Sequence, residues 1–325
     1  MSLRGLHYLP VGSMLCLLWK IVFSRERTNT AMLSILIPVY QYDVCPLVRD
    51  LHRQAEALTI PWEIICLDDG SDEFWRRRNQ EIRHLTGVRY EEAVQNMGRS
   101  RVRNQLAELA AYPFLQFMDC DSGVVRSDFI SKYVGCLTED TVLCGGRIYA
   151  ANRPRDDDFS LHWLYGTERE AHSAEQRAKE PHHSFMSNNF VVPASTMRAI
   201  PFDERLTDYG HEDTLFGQQL ARAGIAVRHL DNPLEHVGLE TAAAFLAKAE
   251  NAVYNLAFLR KQDTLLQTRL TETYDHLHRR GFLPLATIGL SWLEGCFRKN
   301  LLSRHPDLRI FDAWRLGLFM QAMRA

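Results

Sequence analysis

Phe114-Leu115-Gln116-Phe117-Met118-Asp119-Cys120-Asp121 is the stretch that decides the fold class of this chain. The five residues before Asp119 are nearly all apolar, the pattern of a strand buried on both faces of a parallel sheet. Side chains alternate along a strand, so Asp119 and Asp121 are expected on one side and Cys120 on the other. Two carboxylates at the C-terminal end of a core strand stand where open α/β sheets bind ligands. Their oxygens suit Mg²⁺ or Mn²⁺, cations that bridge protein to phosphate. Read alone, the same D-x-D is more often an acidic turn closing a strand.

Outward from this strand, apolar runs and helical spacings alternate. Leu33 to Val39 reads as a strand, and Leu47 to Ala57 as a helix with Leu47, Val48, Leu51 and Ala55 on one face. Ile64 to Leu67 is a second strand, ending at Asp68-Asp69-Gly70-Ser71. A polar helix is predicted over Glu73 to Leu85, a strand at Val88 to Tyr90, and a helix from Gly98 to Ala111. After Asp119 come a helix over Phe129 to Leu137, a strand at Thr141 to Gly145, and another at Phe190 to Val192. Strands alternating with helices predict an α/β fold: a mostly parallel, Rossmann-like sheet with helices on both faces. Residues 151–186, with Asp156-Asp157-Asp158, read as an irregular excursion, either a lid or a solvated loop. From Thr241 onward the chain reads as helical, including Ala242 to Leu259 and Gln262 to His278.

Composition narrows the function classes. The chain has 325 residues, 46% hydrophobic and 24% charged, with a net charge of −2. That balance offers nucleic acid no overall attraction. Its seven cysteines contain no C-x-x-C pair, and several fall in predicted core strands, which suits reduced thiols in a cytoplasmic protein better than disulfides. Residues 1–31 form an N-terminal extension. Val11 to Phe23 is mostly apolar yet interrupted by Lys20, too short for a transmembrane span. Two readings stand: an interfacial helix, or a start placed too early, since Met32 directly precedes the first strand.

The remaining motifs fall in an informative order. Ile35-Leu36-Ile37-Pro38-Val39-Tyr40 precedes Asp68-Asp69-Gly70-Ser71, then Asn96-Met97-Gly98-Arg99-Ser100, the D-x-D, and Gly210-His211-Glu212-Asp213. Together they resemble the family 2 glycosyltransferases, inverting enzymes with a GT-A fold that use nucleotide sugars. The resemblance covers roughly residues 32–240, leaving 241–325 as a helical C-terminal region. It implies that Asp121 and Asp119 face the metal and the sugar nucleotide, Asp121 being the firmer ligand. Asp68 and Asp69 would border the nucleobase pocket together with Pro38 and Tyr40. His236, in Leu234-Glu235-His236-Val237-Gly238, would be a further ligand of Mn²⁺ or Mg²⁺, or else a structural hydrogen-bonder.

Arg99, Arg101 and Arg103 open a predicted helix, where cations oppose the helix dipole unless an anion sits there. Arg99 and Arg103 share a face and are candidates for phosphate contact with Asn96 beside them, while Arg101 is assigned to solvent. An inverting displacement needs a base for the acceptor hydroxyl. The resemblance gives that role to Asp213, with Glu212 orienting the acceptor or tuning its partner. Ser187-Asn188-Asn189 is a further candidate for the acceptor cleft.

Trp292, Phe297, Phe311, Trp314 and Phe319 in the C-terminal region are interleaved with Arg298, Lys299, Arg304, Arg309 and Arg315. That mixture fits helices packed on the catalytic domain or on a second copy of the chain. It also fits peripheral contact with the inner face of a membrane. The resemblance implies as partners a nucleotide-sugar donor, UDP-linked by preference, and a saccharide or lipid-linked acceptor in cell-surface glycan synthesis. Two alternatives remain at this level. A sugar-nucleotide nucleotidyltransferase would carry a Gly-rich basic loop after its first strand, where this chain has Pro38-Val39-Tyr40-Gln41-Tyr42. A non-catalytic nucleotide-sugar-binding module would keep the fold without turnover.

Overall fold

The computed structural model describes residues 31–206, 210–262 and 266–324. The expectations for the N-terminal extension fall on residues 1–30, outside that range. Four strands open the chain: β1 (Leu33–Val39), β2 (Trp62–Asp68), β3 (Val88–Glu92) and β4 (Phe114–Met118). They are followed by β5 (Ser122–Gly123), β6 (Thr141–Cys144), β7 (Arg147–Ile148), β8 (Asn189–Pro193), β9 (Ala226–His229) and β10 (Leu234–His236).

Seven of these form one mostly parallel sheet in the order β3-β2-β1-β4-β8-β6-β9. Only β8 runs against its neighbours, pairing antiparallel with β4 and β6. The strand ends that matter therefore gather at one edge. Val39 pairs with Asp68, and Met118 with Asn189, so Tyr40, Asp69, Asp119 and Asn188 emerge side by side. A second sheet, β5-β10-β7, pairs Ser122 with His236 and Leu234 with Arg147. This small sheet turns the residues after the D-x-D back over the same edge.

The apolar runs make this arrangement favourable. Leu33, Ile35, Ile37 and Val39 pack into one core while Leu36 enters the core on the opposite face. A strand with both faces apolar has nowhere stable to lie but between two layers. Phe117 on β4 is fully buried and stacked on Phe190 of β8, with ring centroids 5.0 Å apart. The first helix, Cys45–Ala55, covers one face with Leu47, Val48, Leu51 and Ala55, the stripe expected from the sequence.

Several local expectations need correction. The polar helix over 73–85 is an α-helix at Glu73–Asn79 followed by a 3₁₀ turn at Gln80–His84. The last helix of the expected pair starts later, at Arg269–Arg279, where Thr268 and Thr271 form a reciprocal cap. Residues 151–186 are not an irregular loop. They hold a 3₁₀ turn at Asp157–Phe159, a helix at Ser160–Tyr165 continued by a π turn at Gly166–Glu170, and a helix at Ala174–Arg177. Burial explains the difference, since Leu161, His162 and Arg177 are each less than a tenth exposed.

Four C-terminal helices, Ala242–Gln262, Arg269–Arg279, Leu283–Leu301 and Leu308–Arg324, build a third core around Phe311, Trp314 and Phe319. Leu161, Leu206 and Leu215 belong to the same cluster, so this layer is fused to the sheet-bearing part. Among the described residues no helix is long and apolar enough to cross a membrane. The described cysteines are all unpaired.

Candidate active site

Asp119 leaves β4 at the sheet edge and meets three guanidinium groups. Arg103 donates to its Oδ1 at 2.8 Å and Arg147 to its Oδ2 at 3.1 Å, with Arg99 at 3.6 Å. Burial would raise its pKa, but Arg99, Arg103 and Arg147 outweigh that and hold its carboxyl well below the usual range. Arg103 is 1% exposed. Arg99 and Arg103, four residues apart, do share a face as expected. What they meet is Asp119 and Glu212: Arg99 Nε donates to Glu212 Oε1 at 2.6 Å, and Arg103 lies 4.0 Å from the same oxygen. Arg101 pairs with Glu204 near solvent.

Glu212 and Asp213 open the helix Glu212–Arg222 behind a left-handed His211 at φ 69°. Glu212 is buried, and its Oε2 accepts from the Gly210 N–H. Burial works against its charge, but Arg99 and Arg103 prevail and lower its pKa. Asp213 behaves oppositely. Burial and the adjacent Glu212 charge push its carboxyl up to about 6. Its Oδ1 accepts from the Thr214 N–H at 2.7 Å, whereas Oδ2 has no partner among the described residues.

Asp121 faces His236 across the small sheet, with 3.5 Å between Oδ1 and Nδ1. Gly238 allows the approach, since a Cβ there would lie 2.6 Å from that of Asp121. Asp121 Oδ1 and both ring nitrogens of His236 are buried without a hydrogen-bond partner. Buried acceptors left unmatched are costly, and a carboxylate oxygen with a neutral imidazole is a donor set that Mn²⁺ or Mg²⁺ accepts. The pair fits a divalent cation. Asp119, expected as a third ligand, has both oxygens hydrogen-bonded to arginines, and among the described residues no group of three His, Cys, Asp or Glu is arranged as a metal site.

The other predicted residues take distinct places. Asp68 has no exposed surface; it accepts from the Ser71 N–H and the Tyr90 hydroxyl. Asp69 accepts from the Met97 and Gly98 N–H groups at 2.7 and 3.1 Å, pinning the loop that carries Asn96. Gly70, at φ 76°, permits that contact, because a Cβ would stand 2.6 Å from Asn96 N. Asn96 is exposed, Pro38 half-buried, and Tyr40 half exposed at the mouth of the sheet edge. Asn189 does not line a cleft. Its side chain ties Tyr133, Gly146 and Asn232 together beneath the edge. Asn188 Oδ1 is buried without a partner.

Sequence reasoning missed Arg147, Tyr149 and Glu170. Glu170 accepts from Arg147 at 3.0 Å and from the Tyr149 hydroxyl, so it aims Arg147 at Asp119. Gly145-Gly146 at the end of β6 was the available signal, since crowded glycines at a strand end mark close backbone approach. A cavity of 1070 Å³ bordered by Ala107, Met197, Phe202 and Gln219 shares none of these residues.

Residues 34–192 match the model of glycosyl transferase family 2. No curated protein sequence matches the chain. Among solved structures, the chain is similar to the mannosyltransferase PcManGT from Pyrobaculum calidifontis, solved in complex with GDP-Man and Mn²⁺. The TM-score is 0.54 at 15% identity, over 96% of this chain and 94% of that one. It is also similar to glucosyl-3-phosphoglycerate synthase from Mycobacterium tuberculosis, solved with Mg²⁺ and UDP, at a TM-score of 0.51 and 14% identity, over 77% and 84% of the two chains. The S. aureus TarS structure gives a TM-score of 0.48 at 16% identity over 68% of this chain, which spans 39% of the TarS chain. At these identities the likeness is one of fold.

Proposed function

Since residues 34–192 belong to glycosyl transferase family 2, we propose that this chain is an inverting glycosyltransferase. It takes a sugar from a nucleoside-diphosphate sugar, UDP-linked by preference, and passes it to a hydroxyl of a saccharide or lipid-linked acceptor. One observation supports the reading: Arg99 joins Asp119, from the acidic pair after β4, to Glu212, from the acidic pair opening Glu212–Arg222, at 3.6 and 2.6 Å.

In this reading Asp213 Oδ2 takes the proton of the acceptor hydroxyl as that oxygen attacks the anomeric carbon from the face opposite the leaving diphosphate. A base held at about 6 is ionised at neutral pH yet retains affinity for a proton. Glu212, anchored by Arg99 and Gly210, keeps Asp213 in place and maintains that pKa. Arg99, Arg103 and Arg147 are paired with Asp119, Glu212 and Glu170 before any ligand arrives, so these side chains need no reorganisation on binding. Tyr40 offers its exposed ring to the base. Asp121 and His236 would hold Mn²⁺ or Mg²⁺, which supplies Lewis-acid stabilisation of charge on the departing diphosphate when bound.

The test is a donor screen with Mn²⁺ that follows nucleoside diphosphate release and the melting temperature. A nucleotide that binds the folded state at a hundred times its Kd stabilises it by about 2.7 kcal/mol. A rise in melting temperature with UDP or GDP, plus turnover with one sugar nucleotide, is expected. Flat melting curves with every nucleotide would overturn the proposal, and binding without turnover would leave a binding module.

A further inference from the structure

The helix Leu283–Leu301 is apolar on two opposite faces, and only one of them is covered. Thr287 and Leu301 are buried on the inner face, where Leu290 packs against the helix Leu308–Arg324 at Gly317 and Thr287 meets Met320. Outward point Leu285, Ile288 and Trp292, at 71%, 56% and 86% exposure, with Phe282 and Leu293 beside them. An isolated exposed leucine is unremarkable, but an unbroken apolar stripe of this length marks a contact surface.

Charge identifies what it contacts. Arg279 and Arg280 precede the stripe; Arg298, Lys299 and Arg304 follow it. Arg279, Arg280 and Lys299 have no carboxylate partner among the described residues. The helix's one acid, Glu294, is only partly exposed. A second copy of the chain is a poor occupant. With basic groups at both ends, any two-fold pairing of the stripe with itself, parallel or antiparallel, sets cations against cations. A surface of anionic lipid headgroups satisfies both features: acyl chains accept the apolar stripe, and the headgroups accept the flanking cations.

We infer that the outward face of Leu283–Leu301 docks on an anionic membrane surface, with Trp292 at headgroup depth. The docking is independent of the transfer chemistry. It nevertheless positions it, because Asn255 of the helix Ala242–Gln262 donates to the Gly210 carbonyl and so ties this helical layer to the Glu212-Asp213 loop.

The full chain should co-sediment with phosphatidylcholine vesicles containing phosphatidylglycerol, and less with phosphatidylcholine alone. Ile288→Ser combined with Trp292→Ser should lower partitioning by about tenfold or more. Arg280→Glu with Lys299→Glu should do so only on the phosphatidylglycerol vesicles. These side chains are exposed, so unchanged melting temperatures certify the folds, and the charge-reversal pair tests the surface independently. Absence of binding by the parent chain overturns the inference. Undiminished binding by both double variants overturns it too, placing attachment elsewhere, such as the apolar Val11 to Phe23 segment. A dimer in sedimentation velocity that the serine variant dissolves, with vesicle binding unchanged, overturns it in favour of a subunit interface.

Discussion

Replacing Asp213 by Asn should abolish the proposed transfer while making the protein more stable at neutral pH. The carboxyl stands at about 6 against an ordinary 3.8 because it is buried beside the charged Glu212. That displacement corresponds to on the order of 3 kcal/mol of disfavoured ionisation. Its sign is fixed by linkage. A carboxyl whose pKa rises on folding favours the folded state below pH 3.8 and loses that contribution as pH climbs through about 6. The amide carries no charge, so Asp213→Asn removes the penalty above pH 6 and gains nothing below pH 4. Thermal melts of parent and variant at several pH values should therefore diverge upward from pH 4 to pH 7, with the variant higher. Nucleoside diphosphate release should fall by roughly two to four orders of magnitude, the usual weight of a general base, and kcat/KM of the parent should decline below about pH 6. A variant that keeps a tenth of the activity, or melts lower than the parent at neutral pH, would refute the assignment.

Asp119→Asn should lower stability by about 3–5 kcal/mol, because it leaves the buried Arg103 with the Arg99 carbonyl and, for a carboxylate, Glu212 at 4.0 Å; urea denaturation checks this, and a stable variant that lost only metal affinity would return Asp119 to the ligand set. His236→Ala should leave the nucleotide-free melting temperature within a few degrees but weaken Mn²⁺ binding by calorimetry, since both its ring nitrogens lack partners. Gly238→Ala should weaken Mn²⁺ binding too, as the added methyl displaces Asp121. Phe117→Ala should cost about 3–5 kcal/mol by removing a fully buried ring from the stack with Phe190.

Much of this arrangement was legible in the chain, and the reasons are local. Leu33 to Val39 and Phe114 to Met118 announce their strands because both faces are buried, leaving apolar character as the only requirement. The D-x-D was expected at the sheet edge because it ends a core strand, whereas the Glu212-Asp213 pair, which opens a helix, was set beside the acceptor by the family resemblance alone. Asp119's commitment to arginine was not legible. It depends on Arg147, which reaches the site through a two-residue strand too short to show alternation, and on Glu170, inside a segment whose polarity reads as solvent. Ion pairs buried between distant segments leave polar sequences that resemble loops, and only the partner separates the two. The same blindness applied to Leu283–Leu301, where helical spacing predicts a helix but an apolar stripe on each side says nothing of which one is covered.

The charges of the cleft tie these features together. Five carboxylates, Asp119, Asp121, Glu170, Glu212 and Asp213, face three guanidiniums, Arg99, Arg103 and Arg147. Three of the acids have an arginine in contact and are held ionised: Asp119, Glu170 and Glu212. The two left over are the two with chemistry assigned to them. Asp213, without an arginine of its own, is pushed up to about 6 by burial and by the neighbouring Glu212 charge. Asp121, 3.5 Å from the His236 ring, keeps a buried oxygen without a hydrogen-bond partner. An excess of two negative charges among buried groups is relieved either by protons or by a dication. A cleft built this way is electrostatically incomplete by itself, and the incompleteness is located on the residue that would take a proton and on the one that would hold a metal.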